Sequence, residues 1–348
     1  MPPGIIIWSL AWPTILEQVL QVTVTYVDSA MVGSLGAHAT AAIAVPTSTI
    51  WLVNGWMNAF AIGFSVLMAR NLGAGNLQRA RQVTKQALFT SVFFGLTLTL
   101  LFVLVARHLP AWIGAEDEVQ LLAAQYYHYI ALGYLPNLVM ILISTLLRCS
   151  GDSKKALYLN GLNNILNICF NLFFIFKTIP IGPFQVQGLG LGVKGAAMAT
   201  SISVTITAIL LLMILLATDN PIRIRLRDPF SYEKSIQKSA LRLGIPVALE
   251  RSTLSFGQIV FTKMVGTLGT TALAAHFLAN TAESITYLPP SGFATAATTL
   301  VAQSLGGNDK TLAKKFANLC TLWGTLLMSF MGLMRSEEHT SELQSRGL

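Results

Sequence analysis

Charge is what this sequence has least of. Lys, Arg, Asp and Glu supply 11% of its 348 residues, against 53% that are hydrophobic, which is about half the charged share of an ordinary soluble domain. The shortage excludes a fold solvated on all sides and leaves a protein whose apolar surface lies in lipid. Cysteine is scarce too: Cys149, Cys169 and Cys320 are too few and too scattered for a disulfide framework. No Lys or Arg precedes Arg70, so the start lacks the basic region of a signal peptide, and no cleavage is expected. The five histidines show no metal-ligand spacing. Neither a Ser-His-acid set nor a pair of loop carboxylates stands out, so neither a metal site nor an enzyme is expected. One motif invites misreading. Gly190 to Gly195, "GLGVKG", matches GxGxxG letter for letter, but a dinucleotide site needs a βαβ unit, and here the glycines open a membrane helix from an outer loop.

What is present is a series of apolar segments, each long enough at about 20 residues or more to cross a bilayer core. They fall at 8–33, 43–69, 83–107, 119–147, 155–177, 195–217, 241–264, 272–302 and 316–334. The expected class is therefore an all-α, polytopic membrane protein. The net charge of +8 could suggest nucleic acid, but its distribution argues against that partner. Sixteen of the 23 Lys and Arg lie in alternate loops, Arg70 to Lys85, Arg148 to Lys155, Arg223 to Arg242 and Lys310 to Lys315, whereas the intervening loops hold only Arg107, Lys177 and Lys194. This is the positive-inside asymmetry of a multi-pass cell-membrane protein, with its N-terminus in the cytoplasm. The surrounding partner is membrane lipid, and no obligate protein partner is evident.

The chain also repeats itself. "SLAWPTILEQ" from Ser9 echoes "RLGIPVALER" from Arg242, pairing Pro13 with Pro246 and Glu17 with Glu250 at an offset of 233 residues. "MVGSLG" at Met31 returns as "MVGTLG" at Met264, and Leu72-Gly73 returns as Leu305-Gly306, at the same offset. Six spans lie between the repeat starts, an even number, so both copies enter the membrane from one side. Parallel repeats about an axis along the membrane normal are a transporter architecture with substrate held between the halves; duplication for packing alone is the other reading.

The segments that carry the repeat also resemble a family. "LAWPTILEQ", "VDSAMVGSLG", "ARNLGAGNLQRAR", "NNILNICFN", "LGVKGAAMATSIS", "TLGTTALAAHFLAN" and "LPPSGFATAATTLVAQSLGG", in that order over residues 8 to 334, resemble the multidrug and toxic compound extrusion (MATE) transporters. The resemblance implies twelve helices in two six-helix lobes. It also implies export of small organic, often cationic, compounds against inward flow of protons or sodium ions, with no other cofactor.

Candidate site residues come from polar stripes. At 100° per residue, Glu17, Gln21, Thr25 and Asp28 fall within about 80° of one another on one helix. Hydrocarbon cannot satisfy such a face, so it must turn to protein or water. A carboxylate at mid-membrane costs roughly 2.5–3.5 kcal/mol on insertion scales, and burial disfavours its charged form. The resemblance makes Asp28 the cation-coupling site, 15 residues after a helix-bending Pro13. For Glu17, both a cavity role and packing stand open. A second stripe, Asn160, Asn163, Asn167 and Asn171, suits hydrogen bonding between helices, and equally suits a cavity wall or oxygen ligands for sodium. Some relatives carry an aspartate where Asn171 stands, so a relay of two aspartates is not carried over. In the seventh span Glu250 and Gln258 share a face as candidate cavity residues. One branch of the family has its glutamate about where Leu254 lies, so that role is not transferred to Glu250. Lys263 is expected to snorkel at the outer end of the same span.

The expected organisation is a first lobe at 1–217, a cytoplasmic linker at 218–240 and three helices of a second lobe at 241–334. A polar segment follows at 335–348, where Arg335 to Ser345 resembles translated sequencing adapter. On that reading the second lobe is incomplete and the chain as it stands does not transport. A flippase for lipid-linked precursors is the nearest alternative, although the expected cavity faces are amide and acid rather than basic. A lipid-acting membrane enzyme is the other; "GAEDEV" at Gly114, the one acidic run that could serve it, reads more simply as a helix start.

Overall fold

The computed structural model describes residues 2–115, 117–181, 184–217, 220–224, 231–266 and 290–346. Within these the chain is almost wholly helical. In order come α1 (Pro3–Gly33), α2 (Ala37–Gly73), α3 (Leu77–Val105), the short α4 (Leu109–Ile113), α5 (Asp117–Leu132), α6 (Tyr134–Cys149) and α7 (Ser153–Ile175). A hairpin of β1 (Thr178–Ile181) and β2 (Phe184–Gln187) leads to α8 (Gly192–Ala217) and α9 (Lys234–Gly266). A helix at 290–306, α10, and α11 (Lys310–Arg346) follow.

Among the described residues, α1, α2, α3, α8 and α11 are long and apolar enough to cross a membrane. The span expected over 119–147 is two helices, α5 and α6, that meet at 47° and count together as one crossing. The cause is local. Pro136 sits in the first turn of α6, and with no N–H and a ring that clashes one turn back, it cannot continue α5. Gly133 fills the joint. Part of the expected eighth span, 272–302, lies outside the described residues, as does the side chain of Lys263. The backbone of α11 stays helical to Arg346, and Lys234 already belongs to α9, so the end of the expected linker, from Lys234 to Ala240, is helix.

Among the described residues the hairpin is the exception to the helices, with Ile179 paired to Val186 and Thr178 to Gln187 in antiparallel register. A strand therefore does precede the "GLGVKG" motif. Its partner is antiparallel, however, and Gly190 and Gly192 take positive φ values of 61 and 59° to turn the chain into α8. No βαβ unit is formed.

The repeat is visible as a pseudo-twofold arrangement of crossings. Helix α9 packs along α2 and α1 packs against α10. At the first crossing, a Cβ placed on Gly244 would lie 3.0 Å from the Ala59 carbonyl oxygen; at the second, one on Gly292 would lie 2.8 Å from that of Ala11. Ala11 is the repeat mate of Gly244, and Ala59 that of Gly292. The ends of α2 and α10 meet the same way. A Cβ on Gly73 would overlap the carbonyl oxygen of Gln303, and one on Gly306 that of Arg70, and Arg70 and Gln303 are themselves repeat mates. Small residues let helix backbones approach this closely without a hydrophobic drive between them. The two repeats thus approach most closely at the basic end of the bundle, and their contact continues along α2 and α9 to Gly55, against Arg251, and Trp56, whose indole donates to Ser252 at 2.9 Å. Toward the other end of α9, Leu254, Phe256 and Val260 are exposed.

Candidate functional site

Asp28 meets α7. Helices α1 and α7 run parallel in constant register: Asn160 donates to Glu17 Oε1 at 2.7 Å and Asn171 to Asp28 Oδ1 at 2.6 Å, both pairs 143 residues apart. The two acids are eleven positions apart, three turns or about 16 Å along the helix, so one straight contact line joins both pairs.

Around Asp28 the polar groups converge from three helices. Asn171 Nδ2 also lies 3.1 Å from Asn167 Oδ1, and Asn167 Nδ2 lies 3.2 Å from the Thr200 hydroxyl on α8. With the Asn167 amide turned over, its nitrogen faces both Asp28 oxygens, at 3.0 and 3.1 Å, and its oxygen accepts from Thr200. This orientation gives the carboxylate a second amide donor, and we adopt it because a carboxylate accepts and does not donate. Asn167 and Asn171 are buried, and Asp28 is half-buried. Asn171 Oδ1 is buried with no donor, as is Glu17 Oε2 on the same contact line, and an unpaired acceptor in such surroundings costs about 1–3 kcal/mol. The charge of Asp28 itself can be neutralised in two ways: by a proton, which turns the acid into a donor, or by a hard cation held by the carboxylate and side-chain oxygens.

Glu17 has a different environment. Its Oε1 pairs with Arg148 Nη2 at 2.5 Å, with both side chains largely buried at 12 and 14% exposure. Asn160, held by Ser144 at 3.3 Å, completes the cluster. Glu17 is therefore committed to α6 and α7. Gln21 and Thr25, between the two acids, are exposed, and the Thr25 hydroxyl donates to the Gln21 carbonyl one turn back. Asn163 accepts from Thr207 of α8 at 3.4 Å. Pro13 is buried within an unbroken α1. Glu250 and Gln258 are exposed on α9 and do not join the Asp28 cluster.

Two participants went unread in the sequence. Arg148 counted as a loop cation, yet it occupies the last turn of α6 and points inward. Thr200 had a signal, because Thr200, Ser203 and Thr207 recur at helical spacing in an otherwise apolar segment. Among the described residues no cluster of His, Cys, Asp and Glu could hold a metal ion.

The MatE family model matches the chain twice, over residues 13–173 and 246–336. The chain belongs to the MatE family. Its two matches begin at Pro13 and Pro246, the repeat mates, so the internal duplication and the family signal coincide. MatE proteins are transporters rather than enzymes. The chain is 31% identical over 308 residues to a probable multidrug resistance protein NorM of Thermotoga maritima, covering 86% of this chain and 63% of that protein. A probable multidrug resistance protein NorM of Halalkalibacterium halodurans is 24% identical over 336 residues, with coverage of 92 and 68%. Among solved structures, an outward-facing conformation of a multidrug resistance MATE family transporter is similar with a TM-score of 0.86 and 25% identity, covering 95% of this MatE chain and 71% of that one. The chain thus spans about two thirds of the length of these relatives, 63% for the first.

Proposed function

We propose that the protein is a secondary antiporter of the cell membrane, exporting small organic, often cationic, compounds in exchange for protons or sodium ions. Residues 1–217 form the first lobe, 218–240 the linker and 241–334 the second lobe, with 335–348 outside the native fold. The basic end and the N-terminus face the cytoplasm, so the lobes are closed inward and spread outward. One observation carries the reading: Asp28 is held by buried amides and, among the described residues, pairs with no cation, whereas Glu17 pairs with Arg148, so the charge of Asp28 is left for a proton or a hard cation to neutralise.

The mechanism follows from that electrostatics. While Asp28 is charged, the amides of Asn167 and Asn171 hold it by charge-assisted hydrogen bonds. When a proton or sodium ion enters, these bonds weaken or rearrange, and the α1–α7 contact changes its energy. Coupling needs this differential, since a ligand shifts a conformational equilibrium only by its difference in affinity for the two states. The driving force suffices: one charge moving through 100 mV supplies about 2.3 kcal/mol, more than a tenfold gradient of solute.

The test is efflux of a cationic dye from proteoliposomes under separately imposed proton and sodium gradients, in a chain whose second repeat has all six spans. Asp28→Asn should insert normally and lose gradient-driven efflux. Efflux at the wild-type rate from that variant would overturn the assignment, and the gradient that drives the wild type identifies the ion.

A further inference from the structure

Beside the start of α9 lies an open groove of about 590 Å³. Six exposed residues, Tyr232, Lys234, Lys238, Leu241, Arg242 and Ile245, line it together with the half-buried Gln237. The helical residues among them recur at helical spacing and form one stripe, roughly opposite the face on which Ile236, Ala240 and Gly244 are buried. Among the described residues no carboxylate pairs with Lys234, Lys238 or Arg242, although Glu233 is next in the chain and turns instead to Arg79. The groove therefore combines three cations with an aromatic residue and an aliphatic wall.

The repeat gives an independent view of this face. The mates of Lys238, Leu241 and Arg242 are Ile5, Trp8 and Ser9 on α1. Those three are also exposed, with Ile5 at 58% and Trp8 at 54%, although the first lobe has its full set of spans. The same face of both repeats is thus open, and in the second it carries three cations in place of apolar and neutral residues. Helix packing does not call for those charges.

We propose that this groove binds an anionic phospholipid, its phosphate held by Lys238 and Arg242 and an acyl chain lying along Leu241 and Ile245. The charge is complementary to such a headgroup, and basic clusters at the ends of membrane helices recognise anionic lipid. The cations flank Leu241, and Ile245 lies beyond the last of them, so the groove offers both a headgroup and a chain a surface to meet. The site is also placed to act on the lobes. Gln237, on the same turn, donates to Gln86 and to Thr90 of α3 at 3.2 and 2.8 Å, and Glu233 bonds Arg79 and Gln82. A bound lipid therefore sits against the segment that ties the second repeat to the first. The inference depends on the orientation proposed above only for the leaflet concerned.

The experiment is native mass spectrometry of the detergent-purified 348-residue chain with added phosphatidylglycerol or phosphatidylcholine. The wild type should retain phosphatidylglycerol and not phosphatidylcholine. One basic side chain near an anionic lipid surface contributes roughly a factor of five, so Lys238→Gln with Arg242→Gln should lower phosphatidylglycerol occupancy about 25-fold. Lys238→Arg should keep it, and Lys314→Gln with Lys315→Gln, elsewhere on the basic end, should leave it unchanged. Equal retention by the Lys238 and Arg242 double variant overturns the site. So does an equal loss in the Lys314 and Lys315 control, which would signify diffuse attraction, or displacement of the lipid by inorganic phosphate, which would signify an anion site without lipid selectivity.

Discussion

Two acids on one helix face are held in opposite ways. Glu17 has a cation, Asp28 has amides, and the contrast decides what each can do. A buried ion pair tolerates loss of one partner poorly, because the other charge stays desolvated. Glu17→Gln should therefore destabilise the fold by about 3–5 kcal/mol, whereas Glu17→Gln combined with Arg148→Met should recover most of the loss. Thermal unfolding in detergent measures both, and a single variant as stable as the wild type would show that the pair contributes nothing. The acids and the asparagine stripe were legible because a polar residue in an apolar run is conspicuous and helical spacing says which of them share a face. Arg148 was not legible, since a cation at the edge of a span reads equally as loop or as buried partner, and only the packing of α6 against α7 distinguishes the two. Asp28 was found by its isolation and Thr200 overlooked, because hydroxyls are common in membrane helices and usually turn to the carbonyl one turn back, which for Thr200 is that of Ala196 at 3.1 Å, the alternative to its bond with Asn167.

At the scale of elements, the contacts near the start of α9 have a pH dependence that can be checked outside the membrane. The Arg79 guanidinium, hydrogen-bonded to Glu233 at 2.5 Å, holds its carboxyl below the usual value. A group whose folded value is depressed contributes stability above its unfolded value of about 4.3 and loses it as pH falls through the folded one. Glu233→Gln should thus be less stable than the wild type at pH 7, and the difference should close as pH drops below about 4. A difference that stays constant across that range would mean that the ion pair is not its source. Helix positions followed from apolar length alone, but the break between α5 and α6 did not, since hydropathy runs straight through Gly133 while Pro136 interrupts only the hydrogen bonding. The reverse holds at Pro13, where α1 continues unbroken with the proline buried.

For the whole molecule, the constant offset of 233 residues predicted a duplicated bundle, and the crossings of α1, α2, α9 and α10 obey it residue by residue. The sequence could not disclose that the two repeats are tightest at the basic end, because this depends on which backbones approach closely, and glycine has many other uses. Gly73→Ala should test that seam: its added methyl would overlap the Gln303 carbonyl, whereas Gly33→Ala meets nothing within 4 Å. The first should cost about 1–3 kcal/mol as an overpacked contact and the second much less, as read by melting temperature. Equal melting of the two variants would show that the seam yields freely.

A seam that is tightest at one end of long helices, where Gly73 meets Gln303, is also a fulcrum. From Gly73 back to Gly55, where α2 still touches Arg251, the axis runs about 27 Å, so a tilt of roughly 10° would sweep its far end by about 5 Å. That is wider than a water molecule, about 2.8 Å across. Displacements small enough to preserve every side-chain contact at the pivot are thus geared up, at the distant rim, into the opening or sealing of an aqueous path.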